Sequence, residues 1–507
     1  MQIREHARDN GDKPAVILHS SGIVVVTFAE LEARANQLAH LFRKRGLREG
    51  DTVAAIMENN EHVHAVMWAA RRCGLYYTLI NTHLTPAEVA YIVENSGAKA
   101  IIGSAAMLSV CAQLPADVLP DLLLIADGDL DGWQQYPECV AEQPHTPIDD
   151  ELEGDLLQYS SGTTGRPKGI RRPLSHLTPA EAPNFLAALL GIIGVNEDSV
   201  YLSPAPLYHT APCLWSMSAL AMGATVVVLQ KFDPEQTLAC IERHHVTHGQ
   251  FVPVMFVRML KLTDAVRNSY DVTSLQRAIH AAAPCPVQIK QQMIDWWGPI
   301  VDEYYSSSEG AGITFISAED WMTHPGSVGK SLLGIAHVLD DDGDDMPAGQ
   351  AGQVYFDIGG ARFEYHKDPE KTAASRDRHG WVTVGDVGYL DDDGYLFLTD
   401  RRHHMIISGG VNIYPQEAEN LLVTHPKVLD AAVFGIPDEE MGQSVKGVVQ
   451  TVESADATAT FADELLAWLR DRLAHYKCPR SISFEPQLPR TDTGKLYKQE
   501  LIAKYSR

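Results

Sequence analysis

The chain has 507 residues, 45% of them apolar, and a formal net charge of −25. Its length implies more than one domain. The acidic balance, with a pI near 5.2, excludes nucleic acid as an expected partner and disfavours tight docking on anionic lipid. No apolar run approaches the ~18 residues of a membrane-spanning helix. The opening stretch, MQIREHARDNGDKP, lacks the apolar centre of a signal peptide. The seven cysteines, Cys73, Cys111, Cys139, Cys213, Cys240, Cys285 and Cys478, contain no Cys-x-x-Cys pair. Neither structural zinc nor a disulfide framework is expected from them. A cytoplasmic protein in a reducing setting is expected; peripheral membrane contact and homodimer formation stay open.

Up to about residue 150, strand and helix signals alternate. Thr52 to Met57 reads as a strand, and Glu61 to Arg72 as a helix stopped by Gly74. Tyr76 to Ile80 is a second strand. Thr85-Pro86-Ala87-Glu88 is a capping box with proline at the first helical position. Val89, Ile92 and Val93 form the inner face of that helix, Gly97 ends it, and Ala100 to Gly103 returns to strand. This alternation predicts an α/β fold with parallel or mixed sheets covered by helices.

Tyr159 to Gly169 reads YSSGTTGRPKG. Glycines let backbone N–H groups approach closely, hydroxyls donate and a lysine adds a point charge. The stretch is built to wrap a polyphosphate. It is not a Walker loop, because Pro167 stands where that pattern needs glycine and Lys168 is followed by Gly169. Thr225 to Leu229, His248 to Val252 and Ile300 to Tyr305 then read as strands, with a helix over Pro234 to His244. Ser274 to Ala283 runs into a turn at Pro284-Cys285-Pro286. Ligands in such sheets sit beyond strand C-termini, which places Ala281–Ala283 and Ser306–Gly310 at a site.

From about residue 328, short strands and acidic turns dominate. Asp340-Asp341-Asp342-Gly343 and Asp391-Asp392-Asp393-Gly394 lack the glutamate of an EF-hand and read as hairpin turns. Asp400-Arg401-Arg402-His403-His404, then Ser408-Gly409-Gly410, read as a hinge. A fresh α/β unit follows: helices over Tyr414 to Val423 and Phe461 to Leu473, and strands near Ala431 to Phe434 and Lys446 to Val452.

Five blocks occur in an order that resembles the adenylate-forming superfamily of acyl-CoA synthetases, peptide-synthetase adenylation domains and luciferases. They are Tyr159–Gly169, Tyr304–Glu309, Gly380–Asp386, Asp400-Arg401 with Ser408–Pro415, and Pro489–Lys495. Departures are Ser160 where many relatives have threonine, Ser306 and Ser308 for Gly and Thr, Ala281 for Gly, and His403 for Lys or Asp. Within that superfamily the chain resembles bacterial fatty-acyl-CoA synthetases. The resemblance implies an AMP-binding domain over residues 1–400 and a small mobile lid over residues 401–507, hinged near 400–403.

The implied activity is ATP-dependent ligation of a hydrophobic carboxylic acid to coenzyme A through an acyl-adenylate. ATP, Mg²⁺ and CoA are the implied cofactors and partners. Alternatives are a ligase that loads a carrier protein and a non-catalytic nucleotide-binding protein. Lys495 is expected to neutralise charge on the α-phosphate, and His209 to stand at the mouth of the acid site. Glu309, with Ser160, is expected to hold the metal. Ser160, Ser161, Gly162, Thr163, Thr164 and Lys168 would wrap the phosphates. Ala281, Ala282, Ala283, Tyr305 and Ser308 would line the nucleotide, and Asp386 and Arg401 would reach the ribose. Ser408, Gly409 and Gly410 belong to the same nucleotide-binding set, with His403 at the hinge. Trp215, Phe251, Val252 and Met255 are the expected acid pocket. No Lys or Arg occurs there before Arg258, so that pocket is expected to be apolar.

Overall fold

The strand–helix alternation of the first half resolves into two sheets. The computed structural model describes residues 2–160, 167–360, 363–401, 404–409, 411–490 and 496–506. A six-stranded sheet runs in the order Gln134–Gln135, Leu122–Ile125, Ala98–Gly103, Thr52–Ile56, Tyr76–Leu79, Asp155–Leu156, all parallel. The helix Pro86–Ser96 packs beside it. Its N-terminus carries the expected reciprocal Thr85–Glu88 box, and Gly97 closes it at φ 65°. The helix expected over Pro234 to His244 has those limits, with Asp233 capping it.

The second sheet has thirteen strands. Its middle is parallel, through Val301–Ser306, Arg277–His280, His248–Phe251, Val200–Ser203, Thr225–Leu229 and Pro14–His19. Beyond Val301–Ser306 the pairing turns antiparallel and continues into the β-rich part, through Ile313–Ile316, Ser327–Leu333, Leu396–Arg401, Asp386–Leu390, Gly352–Asp357 and Ile335–Leu339. The acidic runs are turns. Asp340 Oδ1 accepts from the amides of Asp342 and Asp344, both at 2.9 Å, and Asp391 Oδ1 accepts from Asp393 and Tyr395.

Past residue 411, a three-stranded sheet of Val428–Asp438, Gly442–Thr451 and Ser481–Phe484 is covered by Gln416–Leu422, Ala459–Arg470 and Lys498–Tyr505. Its first strand is longer than the expected Ala431 to Phe434. Antiparallel pairing carries on through Gly435 and Pro437, with Pro437 opposite Gln443. This unit has its own core around Leu422, Val433, Leu465 and Leu469. Among the described residues, no helix is long and apolar enough to cross a membrane.

In the middle of the large sheet, Asp302 is buried at 1% exposure. Its Oδ1 accepts from the Ala318 amide at 2.9 Å. Burial raises its pKa from 3.8 to about 6, against the pull of that amide, Arg277 and Lys290. The folded state therefore holds this proton more tightly than the unfolded state. The stability it contributes is full below about pH 3.8 and is lost as pH rises through about 6. We predict that Asp302→Asn, measured against the parent by thermal unfolding, gains relative stability between pH 4 and pH 7, by on the order of 2–3 kcal/mol. A difference that stays flat across that range contradicts the assignment.

Candidate active site

The two ends of the stretch expected to wrap the phosphates, at Tyr159-Ser160 and Lys168-Gly169, pair as a hairpin. Lys168 pairs with Ser160 and Gly169 with Tyr159, so Ser160 and Lys168 face each other on the rim of a cleft of about 2310 Å³. Gly169 is held small, since a Cβ there would stand 3.0 Å from the His366 side chain. Ser161, Gly162, Thr163 and Thr164 lie outside the described residues. The outer side of Lys168–Arg171 pairs with a strand from far along the chain, Ile170 opposite Tyr365. That pairing delivers Tyr365, whose hydroxyl donates to Glu309 Oε1 at 2.9 Å.

The same pairing delivers a residue that the sequence analysis missed. Asp368 caps the short helix Pro369–Ala374 by accepting from the Lys371 amide at 3.0 Å. The Lys371 ammonium lies 3.9 Å from the centre of the Tyr365 ring and close enough to Lys168 to feel its charge. Burial, then the neighbouring Lys168 ammonium, lowers its pKa to about 8. Nothing in the local sequence ties position 371 to 168; only the strand pairing does.

The residues expected to line the nucleotide stand at strand ends. Val301–Ser306 ends in a loop whose Ser308 Oγ stands 2.7 Å from Thr210 Oγ1. This contact pins the loop to the start of helix Thr210–Ala221, where His209 is the N-cap residue and borders the cleft. Tyr305 donates from its hydroxyl to Asp386 Oδ2 at 2.6 Å. Asp386 is buried at 7% exposure and lies opposite Arg401 in the register; the Arg401 side chain lies outside what is described. Ala281, Ala282 and Ala283 border the cleft. Ala282 has φ 76°, a left-handed conformation that a residue with a Cβ adopts at a cost.

The expected acid pocket lies between helix Thr210–Ala221 and the ends of the parallel strands. Leu214, Trp215, Met217, Val252, Val254 and Val257 line it. Trp215 packs on Tyr304 with ring centres 5.2 Å apart. Phe251 and Met255 are corrected: they do not border the cleft. Alternation along His248–Phe251 turns Phe251 into the core, 5.6 Å from the Phe256 ring and 5.5 Å from the Trp297 ring. Helix Pro253–Leu260 presents Val254 and Val257 to the cleft and buries Met255.

The pocket wall is also more polar than expected, since Gln250 and Glu303 reach it. The Gln250 amide nitrogen is buried without a hydrogen-bond partner. Glu303 Oε2 accepts from Lys290 at 2.8 Å and lies 3.4 Å from His280 Nε2. Burial pushes the Glu303 carboxyl up, opposed by Lys290, and pushes His280 well below the usual imidazole range.

The C-terminal unit closes one side of the cleft. Arg490 and Leu496 form a bridge and both border it; Lys495, between them, lies outside the described residues. Arg490 Nη2 donates to Asp430 Oδ1 at 2.7 Å, and Lys498 meets Glu419 at 2.8 Å. His403 and Gly410 also lie outside the described residues. Ser408 and Gly409 do not border the cleft. The hairpin Ile406–Ser408 with Val411–Ile413 sits on the small sheet, and the Gly409 amide donates to the Met441 carbonyl at 2.9 Å.

A large sheet domain with the Gln158–Arg171 hairpin at its cleft, a half-buried tyrosine paired with a buried aspartate, and a small C-terminal cap define an adenylate-forming architecture. The family described as AMP-binding enzyme matches residues 3–361, and its C-terminal domain family matches residues 417–495. The chain belongs to the AMP-binding enzyme family. It is 33% identical to feruloyl-CoA synthase of Amycolatopsis sp, over 96% of this chain and 95% of that protein. It is 29% identical to the long-chain-fatty-acid–CoA ligase FadD13 of Mycobacterium tuberculosis, over 95% and 94%. The structure of ATP-bound MatB from Rhodopseudomonas palustris superposes with a TM-score of 0.82 at 28% identity, covering 100% of this chain and 99% of that one.

The left-handed alanine gives a test of the turn. Glycine in a strand or turn usually costs about 0.5–1 kcal/mol relative to alanine. At Ala282 that cost is offset by release of the Cβ strain, roughly 1–2 kcal/mol. Ala282→Gly is expected to melt at or above the parent temperature, whereas Ala283→Gly falls below it. A drop for Ala282→Gly equal to that of Ala283→Gly contradicts the strained geometry.

Proposed function

We propose that the protein joins a hydrophobic carboxylic acid to coenzyme A through an acyl-adenylate, releasing AMP and pyrophosphate. The observation that supports this reading is the continuity of one cleft. The phosphate hairpin, Glu309 and the Tyr305–Asp386 pair border the same space as the apolar pocket around Trp215. In step one, a carboxylate oxygen bonds to the α-phosphorus, and the bond to the α,β-bridging oxygen breaks. The electron pair leaves on pyrophosphate. In step two, the CoA thiol gives up its proton to solvent, its sulfur bonds to the acyl carbon, and AMP leaves with the former carboxyl oxygen.

Each residue has a physical task in this reading. Lys168, at the root of the hairpin, faces the polyphosphate. Asp386, oriented by Tyr305, accepts the ribose hydroxyls. His209 stands where the acid pocket opens to the phosphates. Glu309 fits a Mg²⁺ ion, which takes one or two carboxylates and completes its shell with phosphate oxygens and water. The ion supplies charge neutralisation on the phosphates when it enters with ATP. The small domain turns about His403 between the steps, carrying Lys495 into the site for the first and away for the second.

Lys495→Ala is expected to slow acyl-adenylate formation about 10²–10³-fold, the scale for a lost oxyanion donor. Thioester formation from supplied acyl-AMP survives. Equal loss in both half-reactions contradicts the role. Acid-dependent pyrophosphate release from acetate to palmitate, with benzoate and an amino acid alongside, tests the pocket. Each buried CH₂ adds about 0.8 kcal/mol, so kcat/KM rises with chain length and levels off when the pocket is full. Preference for acetate or for the amino acid contradicts an apolar pocket.

A further inference from the structure

The adenylation reading accounts for Lys168 but leaves Lys371 without a task. Lys371 borders the same cleft, on a helix that follows the strand paired to the phosphate hairpin. Its ammonium stands beside that of Lys168 and against the face of Tyr365. Two like charges held side by side repel. The carboxylates that act on Lys371 are Glu309 and Asp368. Glu309 is engaged by the Tyr365 hydroxyl, and Asp368 Oδ1 by the Lys371 backbone amide. Among the described residues neither lysine is in an ion pair. Such a pair is at its most stable with a polyanion across it.

We propose that Lys371 is a second leaving-group residue, which with Lys168 grips the terminal phosphates of ATP and the pyrophosphate that departs. This rests on the ligase reading above. As the bond to the α,β-bridging oxygen breaks, the electron pair moves onto pyrophosphate, and the charge that grows there falls between two ammonium groups. Tyr365 sets the position of the lysine head through its ring and that of Glu309 through its hydroxyl. One side chain thus spaces the cation and the carboxylate that serve the same phosphates.

Lys371→Met keeps the aliphatic stem on the Tyr365 ring and removes the charge. In acid-dependent exchange of labelled pyrophosphate into ATP, the KM for pyrophosphate is expected to rise about 10–100-fold, the scale of one hydrogen bond to a charged group. The KM for the acid and the rate of thioester formation from supplied acyl-AMP stay at the parent values, and Lys371→Arg recovers most of the loss. A parental KM for pyrophosphate in Lys371→Met overturns the proposal. So does equal depression of both half-reactions, which is the mark of a structural role. If the parent protein shows no acid-dependent exchange, the ligase reading fails instead. Calorimetric titration of parent and Lys371→Met with magnesium pyrophosphate then decides the binding claim by itself: weaker binding by the variant supports it and equal binding overturns it.

Discussion

One short antiparallel pairing organises the site. The strand Lys168–Arg171 is gripped on one side by Gln158–Ser160 and on the other by Glu364–Tyr365. The first contact closes a tight hairpin and costs little chain entropy. The second closes a loop of nearly two hundred residues, yet loop-closure entropy grows only with the logarithm of length. A few backbone hydrogen bonds and the burial of Ile170 against Phe363 and Tyr365 hold it. Through it, Tyr365 meets Glu309 and Lys371 meets Lys168. Without it, the hairpin would stand alone as a two-stranded element, which is marginal in water.

The local signals in the sequence translated well. Thr85–Glu88 forms the box its spacing announced, and Asp233-Pro234 starts a helix as written. Strand ends fell where parallel alternation placed them, which put Ala281–Ala283 and Ser306–Gly310 on the cleft without knowledge of any pairing. What failed to show was long-range. The strand beyond Phe434 was missed as well, where Gly435 pairs with Val445 and Pro437 with Gln443 across a local hairpin. Phe251 and Met255 are apolar residues in the right segments, but apolarity does not say which side of a strand or helix faces the cavity. Lys371 follows an ordinary helix start, and its meaning depends on a partner strand some two hundred residues earlier.

The small domain meets the large one through polar contacts. Lys261 Nζ donates to the carbonyls of His425 at 3.0 Å and Pro426 at 3.3 Å, and the Gln416 amide donates to Asp400 Oδ2 at 3.2 Å. The cores on either side are separate clusters. A seam of this kind exchanges its hydrogen bonds with water when it parts, so opening it costs far less than opening a core of the same area. The proposed turn between two half-reactions therefore asks the fold to break only bonds that solvent replaces.

A protein with a net charge of −25 that binds a polyphosphate has an electrostatic difficulty. Screening limits it, since the Debye length at physiological ionic strength is about 8 Å and distant carboxylates contribute little. Local charge then decides. On the phosphate side of the cleft, Lys168 and Lys371 converge while Glu309 is tied to Tyr365. On the acid side, Glu303 could repel an incoming carboxylate, but Lys290, fully buried at 2.8 Å, neutralises it. Burying that pair costs desolvation, and the short contact offsets it. The cleft as a whole is lined by more carboxylates than lysines and arginines, so what serves its phosphate end is the placement of Lys168 and Lys371 there and not the overall charge of the lining.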